Sequence, residues 1–225
     1  MNNSIMLKEI FEQPQAISNS LNKNKNQILK ICREIKEFNP SLILLAARGS
    51  SEHACIYARY LFEVHCGIPT ALAAPSVLTA YDSPLNLEKT LTIGVSQSGA
   101  ALDVLEVINR TNKCGGITIS ITNTADSGMA KAAKHHLDCY GGQEESVAAT
   151  KSFMLQMALL TALAANISGN KDLLECLDKL DEAVQSALNM FEEIEEKVFD
   201  VPVRELMKAG LDELKDRYNN RDIES

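Results

Sequence analysis

The chain has no basic surplus: 22 Lys and Arg stand against 30 Asp and Glu, a formal net charge of −8. Nucleic acid and anionic membranes both demand clustered cations, so neither is expected as a partner. Any anion that this chain binds must be held by local dipoles rather than by global charge. Missing too are the C-x-x-C pair, the H-E-x-x-H helix and any Cys/His cluster at zinc-ligand spacing, although six cysteines and four histidines are present. No metal site and no cofactor are expected, and the cysteines read as reduced, buried thiols acting as small hydrophobes. The opening residues, MNNSIMLKEIF, show neither the basic nor the apolar region of a secretion signal. No apolar run reaches membrane-spanning length without a polar break. A soluble, cytoplasmic protein is the expectation.

What is present is a strand–turn–helix unit at Thr90 to Leu105, TLTIGVSQSGAALDVL. Leu91 to Val95 is a short apolar run, and helical spacing restarts at Gly99 with Leu102, Leu105 and Ile108 on one face. Between them, Ser96-Gln97-Ser98-Gly99 offers two hydroxyls, a glycine and the unpartnered N–H groups of a helix start, the makings of a phosphate seat. On its own this is more often an ordinary βα turn with an N-cap serine. A second turn of the same chemistry shifts the balance: Ser41 to Ala47 reads as a doubly buried strand, followed by Arg48-Gly49-Ser50-Ser51 and a helix from about Glu52 to His65. On neighbouring parallel strands the two turns would converge at one carboxyl-edge crevice.

At 225 residues the chain suits one α/β domain with helical extensions. Residues 1–38 read as a leader of two helices, Ile5 to about Ser20 and about Gln27 to Phe38, split by the polar Asn22 to Asn26 stretch, with Pro14 a kink in the first. Residues 39–170 read as the α/β domain. Further strands are expected at Pro69 to Ala74, Ile117 to Thr122 and Leu137 to Tyr140, alternating with helices, which gives a doubly wound five-stranded parallel sheet flanked by helices. Residues 171–225 form a helical extension, with Val203, Leu206, Met207, Gly210, Leu211 and Leu214 marking one amphipathic helix.

A third segment, GGQEESVAATKSF from Gly141 to Phe153, places Ser146 to cap a long apolar helix from about Val147 to Asn166. Glu144 and Glu145 then lie just before a helix N-terminus, where negative charge is favoured, and helix-end stabilisation is the plainer account of both. Lys151, in the helix's second turn, reads as a solvated or ion-paired side chain.

Together, Arg48-Gly49-Ser50-Ser51, Ser96-Gln97-Ser98-Gly99 and Glu144 to Phe153 resemble the three signatures of the sugar isomerase (SIS) domain family, over about Lys8 to Glu196. The resemblance is to the isomerase part of glucosamine-6-phosphate synthases and to SIS-type deaminases of amino-sugar phosphates. It implies a flavodoxin- or Rossmann-like three-layer sandwich in which Gly49, Ser50 and Ser51, with Ser96, Gln97, Ser98 and Gly99, hold a sugar's phosphate and nearby hydroxyls. It also implies that backbone near Val147 lines the sugar, with Glu144 at the pocket edge. Of the carboxylates expected near the crevice, Glu144, Glu145, Glu52 and Asp103, Glu144 is taken as the catalytic candidate. The chain departs from the pattern at Ala100-Ala101 and Ala149, where relatives often place hydroxyl residues. Such relatives also carry a second SIS domain holding the groups proposed to move protons, and none follows Glu196 here. Isomerase or deaminase chemistry on a phosphorylated hexose is therefore expected alongside two alternatives. One is a non-catalytic sugar-phosphate sensor. The other is a half-enzyme completed by a homo-oligomer, a dimer, with the apolar Met154 to Ala165 helix as one possible interface, or by a complementary SIS subunit.

Overall fold

One parallel sheet has five strands: β1 (Leu42–Ala47), β2 (Thr70–Leu72), β3 (Thr90–Ser96), β4 (Ile117–Thr122) and the polar β5 (His135–Asp138), which starts two residues before the expected Leu137. They are ordered β2-β1-β3-β4-β5. Both faces of the sheet are covered, and every residue of β4 is buried. This computed structural model describes residues 4–146 and 148–191. Contacts divide the chain into two units, 1–182 and 183–225, the second described only over residues 183–191. Val147 and the amphipathic stretch from Val203 to Leu214 lie outside the described residues.

The first unit's helices are α1 (Ile5–Phe11), α2 (Gln13–Phe38), α3 (Ser50–Leu61), α4 (Ser76–Thr79), α5 (Leu102–Lys113), α6 (Gly128–Ala132), α7 (Lys151–Ser168) and α8 (Lys171–Asp178). On one face of the sheet, Leu44 and Ala46 meet Leu78 of α4, Val104, Val107 and Ile108 of α5 and Met129 of α6 in one buried cluster. On the other, α2 and α3 pack against α7, whose Leu155, Leu159, Leu160 and Leu163 are fully buried. The apolar stripe of α7 is thus core of its own domain rather than a free interface.

Several boundaries differ from expectation, each for a local reason. The polar Asn22 to Asn26 stretch does not break the leader: α2 runs unbroken for 26 residues. Asn24 is buried there, its Nδ2 donating to the Ser20 carbonyl at 2.9 Å and the Asp138 carbonyl at 2.8 Å, so this polar residue is a docking point on β5. The break falls at Glu12 instead, two residues before Pro14, which enters the first turn of α2, where its missing N–H costs nothing. Helix α5 starts at Leu102, not Gly99, and Leu102 is 78% exposed while Val104, Val107, Ile108 and Thr111 form the buried stripe. Cys32, Cys55 and Cys139 are buried as expected, but Cys66 and Cys114 are half-buried and Cys176 is exposed. Burial pushes the Cys32 and Cys55 thiols up to about 12, so both stay protonated. Among the described residues no helix is long and apolar enough to cross a membrane, and no cluster of His, Cys, Asp and Glu is arranged to hold a metal.

Candidate functional site

Strands β1 and β3 are neighbours in parallel register, Ala47 opposite Val95, so the turns that follow them leave the same edge of the sheet side by side. In the strand order 2-1-3-4-5 this is the switch point, where chain connections diverge and leave a crevice at the strands' carboxyl ends. The first turn passes through Gly49, whose φ of 58° and ψ of −134° suit a residue without a Cβ. It then opens α3 with Ser50 exposed and Ser51 buried. The second turn keeps Ser96 and Gln97 half-buried, Ser98 exposed and Gly99 buried.

The second turn is held by its own polar groups. Ser96 Oγ accepts from the Gly99 N–H at 3.1 Å, and Ser98 Oγ accepts from the Ala100 N–H at 3.3 Å. From behind, the Gln97 carbonyl accepts from Asn123 N–H and the Gly99 carbonyl from Met129 N–H. Gly99 has a φ of +64°, and a Cβ there would overlap the Ser127 side chain. The glycine is therefore required twice over, by backbone conformation and by space. The N-cap residue of α5, Ala101, makes no side-chain bond, and of the helix's first amides that of Val104 donates to Asp103 Oδ1 at 2.9 Å. Across the mouth, Arg48 of the first turn pairs with Asp103 in the first turn of α5. Glu52 and His53, on the first turn of α3, are exposed.

The third segment reaches the same edge from β5. Helix α7 begins at Lys151 rather than Val147, and Ser146 does not cap it. The cap comes from further back: Glu144 Oε1 accepts from the Thr150 N–H at 3.0 Å and the Ser152 N–H at 3.1 Å, and Ser152 Oγ donates to Oε2 at 2.5 Å. Gln97 Nε2 donates to the same carboxylate at 3.4 Å, tying the second turn to the third segment. The structure thus brings Gly49 to Ser51, Ser96 to Gly99 and Glu144 to one edge.

Two residues here, Glu9 and Glu12, escaped the sequence reading, and the partner of Lys151 was not foreseen. Glu9 of α1 is only 4% exposed, and its carboxylate accepts from the Glu145 and Ser146 N–H groups and the Ser146 hydroxyl. Lys151, 3% exposed, donates to Glu12 Oε2 at 2.7 Å and to the Gln143 carbonyl at 3.0 Å, so of the two expected states it is ion-paired and not solvated. Burial alone would raise the Glu9 carboxyl, but the Ser146 hydroxyl, the two N–H groups and the Lys151 charge together hold it below the usual 4.5. A separate groove of about 180 Å³, lined by α2, α7 and α8 residues such as Leu21, Leu29 and Leu174, shares no residue with this edge.

An open parallel α/β sheet with two hydroxyl-lined turns at its switch point defines a protein of the doubly wound class. The SIS domain model matches residues 38–166, and the chain belongs to that family. It is 34% identical over 191 residues to a glutamine–fructose-6-phosphate aminotransferase (isomerizing) of Aquifex aeolicus, covering 84% of this chain and 32% of that protein. Among solved structures, a candidate phosphosugar isomerase of Silicibacter pomeroyi superposes with a TM-score of 0.79 at 33% identity, over 82% of this chain and 56% of that one. A glucosamine-6-phosphate deaminase of Thermotoga maritima gives 0.62 at 26% identity, over 80% and 54%. The chain spans about a third of the length of the curated relatives it matches.

Proposed function

We propose that this chain binds a phosphorylated amino- or keto-hexose at the β1/β3 edge and takes part in its isomerisation or deamination, in the cytoplasm. The observation that carries this reading is the adjacency of the two hydroxyl-bearing turns, on strands in register, in a member of the SIS family. In this reading residues 39–170 are the sugar-binding domain. Ser96, Gln97, Ser98 and Gly99, with the amides that open α5, seat the phosphate; Gly49, Ser50 and Ser51 close the other side and meet sugar hydroxyls; backbone at Val147 lines the ring. Shifting the carbonyl between C1 and C2 needs a base that takes a proton from one carbon and returns it to the other. Glu144 is the carboxylate that we assign to it.

One observation favours the sensor alternative: the Glu144 carboxylate already accepts from three groups at the start of α7 as well as from Gln97. Another favours assembly: α3 and the π-type turn after it (Phe62–Cys66) leave Ile56, Tyr57, Tyr60 and Val64 between 40% and 70% exposed, an apolar stripe for a second copy or a complementary SIS subunit.

The test is thermal. A ligand that binds only the folded state stabilises by about 2.7 kcal/mol at a hundredfold excess over its Kd. Glucosamine-6-phosphate is expected to raise the melting temperature, whereas glucosamine with inorganic phosphate at equal concentrations is expected to raise it much less. Equal shifts, or none, would remove the phosphosugar reading.

A further inference from the structure

The corner where α1 meets the third segment is unusual in what it buries. Glu9 and Lys151 are each less than 5% exposed, 142 positions apart, and each bonds to backbone of the third segment. Glu9 Oε1 takes the Glu145 N–H and, at 3.4 Å, the Ser146 N–H, while Oε2 takes the Ser146 hydroxyl. Lys151 Nζ takes the Gln143 carbonyl and the Glu12 carboxylate. Glu9 of α1 therefore grips the segment at the amides of 145 and 146 and the hydroxyl of 146, while Glu12, just after α1, holds Lys151, which in turn donates to the carbonyl of 143. A carboxylate withdrawn from water is costly unless its lone pairs are filled, and here donors of the segment fill them. The same stretch carries Glu144, which faces Gln97 of the second turn.

We propose that Glu9 is a positioning residue for the sugar side of the site. Its carboxylate fixes the backbone of Glu145 and Ser146, and with it the run from Glu144 onward that faces the ring, while the phosphate seat at Ser96 to Gly99 stands without it. The inference rests on the phosphosugar reading above and adds to it a residue from the leader helix. Apart from the Gln97 side chain's bond to Glu144 at 3.4 Å, the seat's bonds run to Asn123, Met129 and within the turn, and none goes to α1. The two halves of the ligand should therefore respond differently to loss of Glu9.

The experiment is calorimetric binding of glucosamine-6-phosphate and of inorganic phosphate to the full chain and to Glu9→Ala and Glu9→Gln. Glu9→Ala is expected to weaken glucosamine-6-phosphate by roughly tenfold, the scale of losing hydrogen bonds to a charged group, and to leave phosphate unchanged. Glu9→Gln keeps an oxygen for the two N–H groups and should recover most of the affinity. Equal binding of both ligands by Glu9→Ala and the wild type, or a parallel loss of both, overturns the proposal while the phosphosugar reading stands. If the wild type itself does not prefer the phosphosugar, that reading fails and this inference falls with it. Should Glu9→Ala show no cooperative melting, Ser146→Ala removes only the hydroxyl donor. It must then show the same selective loss, smaller in size, or the proposal is wrong.

Discussion

Glu144 is asked to do two things with one carboxylate, and the two can be separated. As the cap of α7 it satisfies amides that would otherwise be orphaned, and its loss costs about 1–2 kcal/mol. As a base it must carry negative charge, which glutamine lacks. Glu144→Gln keeps an oxygen for the Thr150 and Ser152 amides, so its melting temperature is expected to stay near that of the wild type while turnover of glucosamine-6-phosphate falls by about a hundredfold or more. Glu144→Ala should lose both. Turnover that follows stability in both variants would reduce Glu144 to a helix cap. At this scale the sequence disclosed the serines and Glu144 because each belongs to a short local pattern. It concealed Glu9, Glu12 and the partner of Lys151 because these contacts span 136 to 139 residues and no spacing announces such pairs.

Strands were legible because a covered parallel strand holds apolar and small hydroxyl residues free of charge, and β1, β3 and β4 fall within a residue of their expected limits. Helix starts were less so: α7 opens four residues late because its cap is Glu144, well outside the usual one-residue offset, and Ser146 turns to Glu9 instead. The polar middle of α2 looked like a break for a related reason, since the Asn24 partner on β5 is invisible locally. The seam between α2 and β5 has a pH consequence. Burial lowers the His136 imidazole below 6.5, with Asp138 and Ser120 opposing. Nearby, hydrogen bonding from Lys134 outweighs burial and holds the Glu34 carboxyl below 4.5, helped by His135. For a lowered imidazole the unfolded chain takes the proton first, so stability is full above about 6.5 and declines as pH falls from there. For the lowered carboxyls of Glu34 and Glu9, stability is full above about 4.5 and is lost as pH falls through their folded values. Denaturant midpoints measured from pH 8 to 3 are thus expected to drop in two stages, with His136→Gln removing the first. A flat profile from 8 to 5 in the wild type would contradict the role given to His136.

At the scale of the whole molecule, the chain matches about a third of its aminotransferase relative and little more than half of the solved phosphosugar proteins, so its pocket is compared with sites that have more chain around them. The face best suited to meet additional protein is the α3 stripe. Tyr60 is 68% exposed and Val64 70%, one helical turn apart, with Ile56 a turn before and Tyr57 anchored by its hydroxyl to Thr161 at 3.1 Å. Apolar side chains aligned at this spacing on a helix that already buries Ala54, Cys55, Ala58 and Leu61 inward are a second face, not spillover from the core. A homodimer through this stripe predicts that light scattering behind size exclusion gives twice the chain mass at tens of micromolar, and that Tyr60→Lys with Val64→Lys gives the single-chain mass. Phosphate binding should survive in that variant, because the stripe and the Ser96 to Gly99 turn share no residue. A wild type that runs as a single chain at those concentrations, and stays so on mixing with a complementary SIS chain, would leave the stripe without either proposed partner and sink the assembly reading.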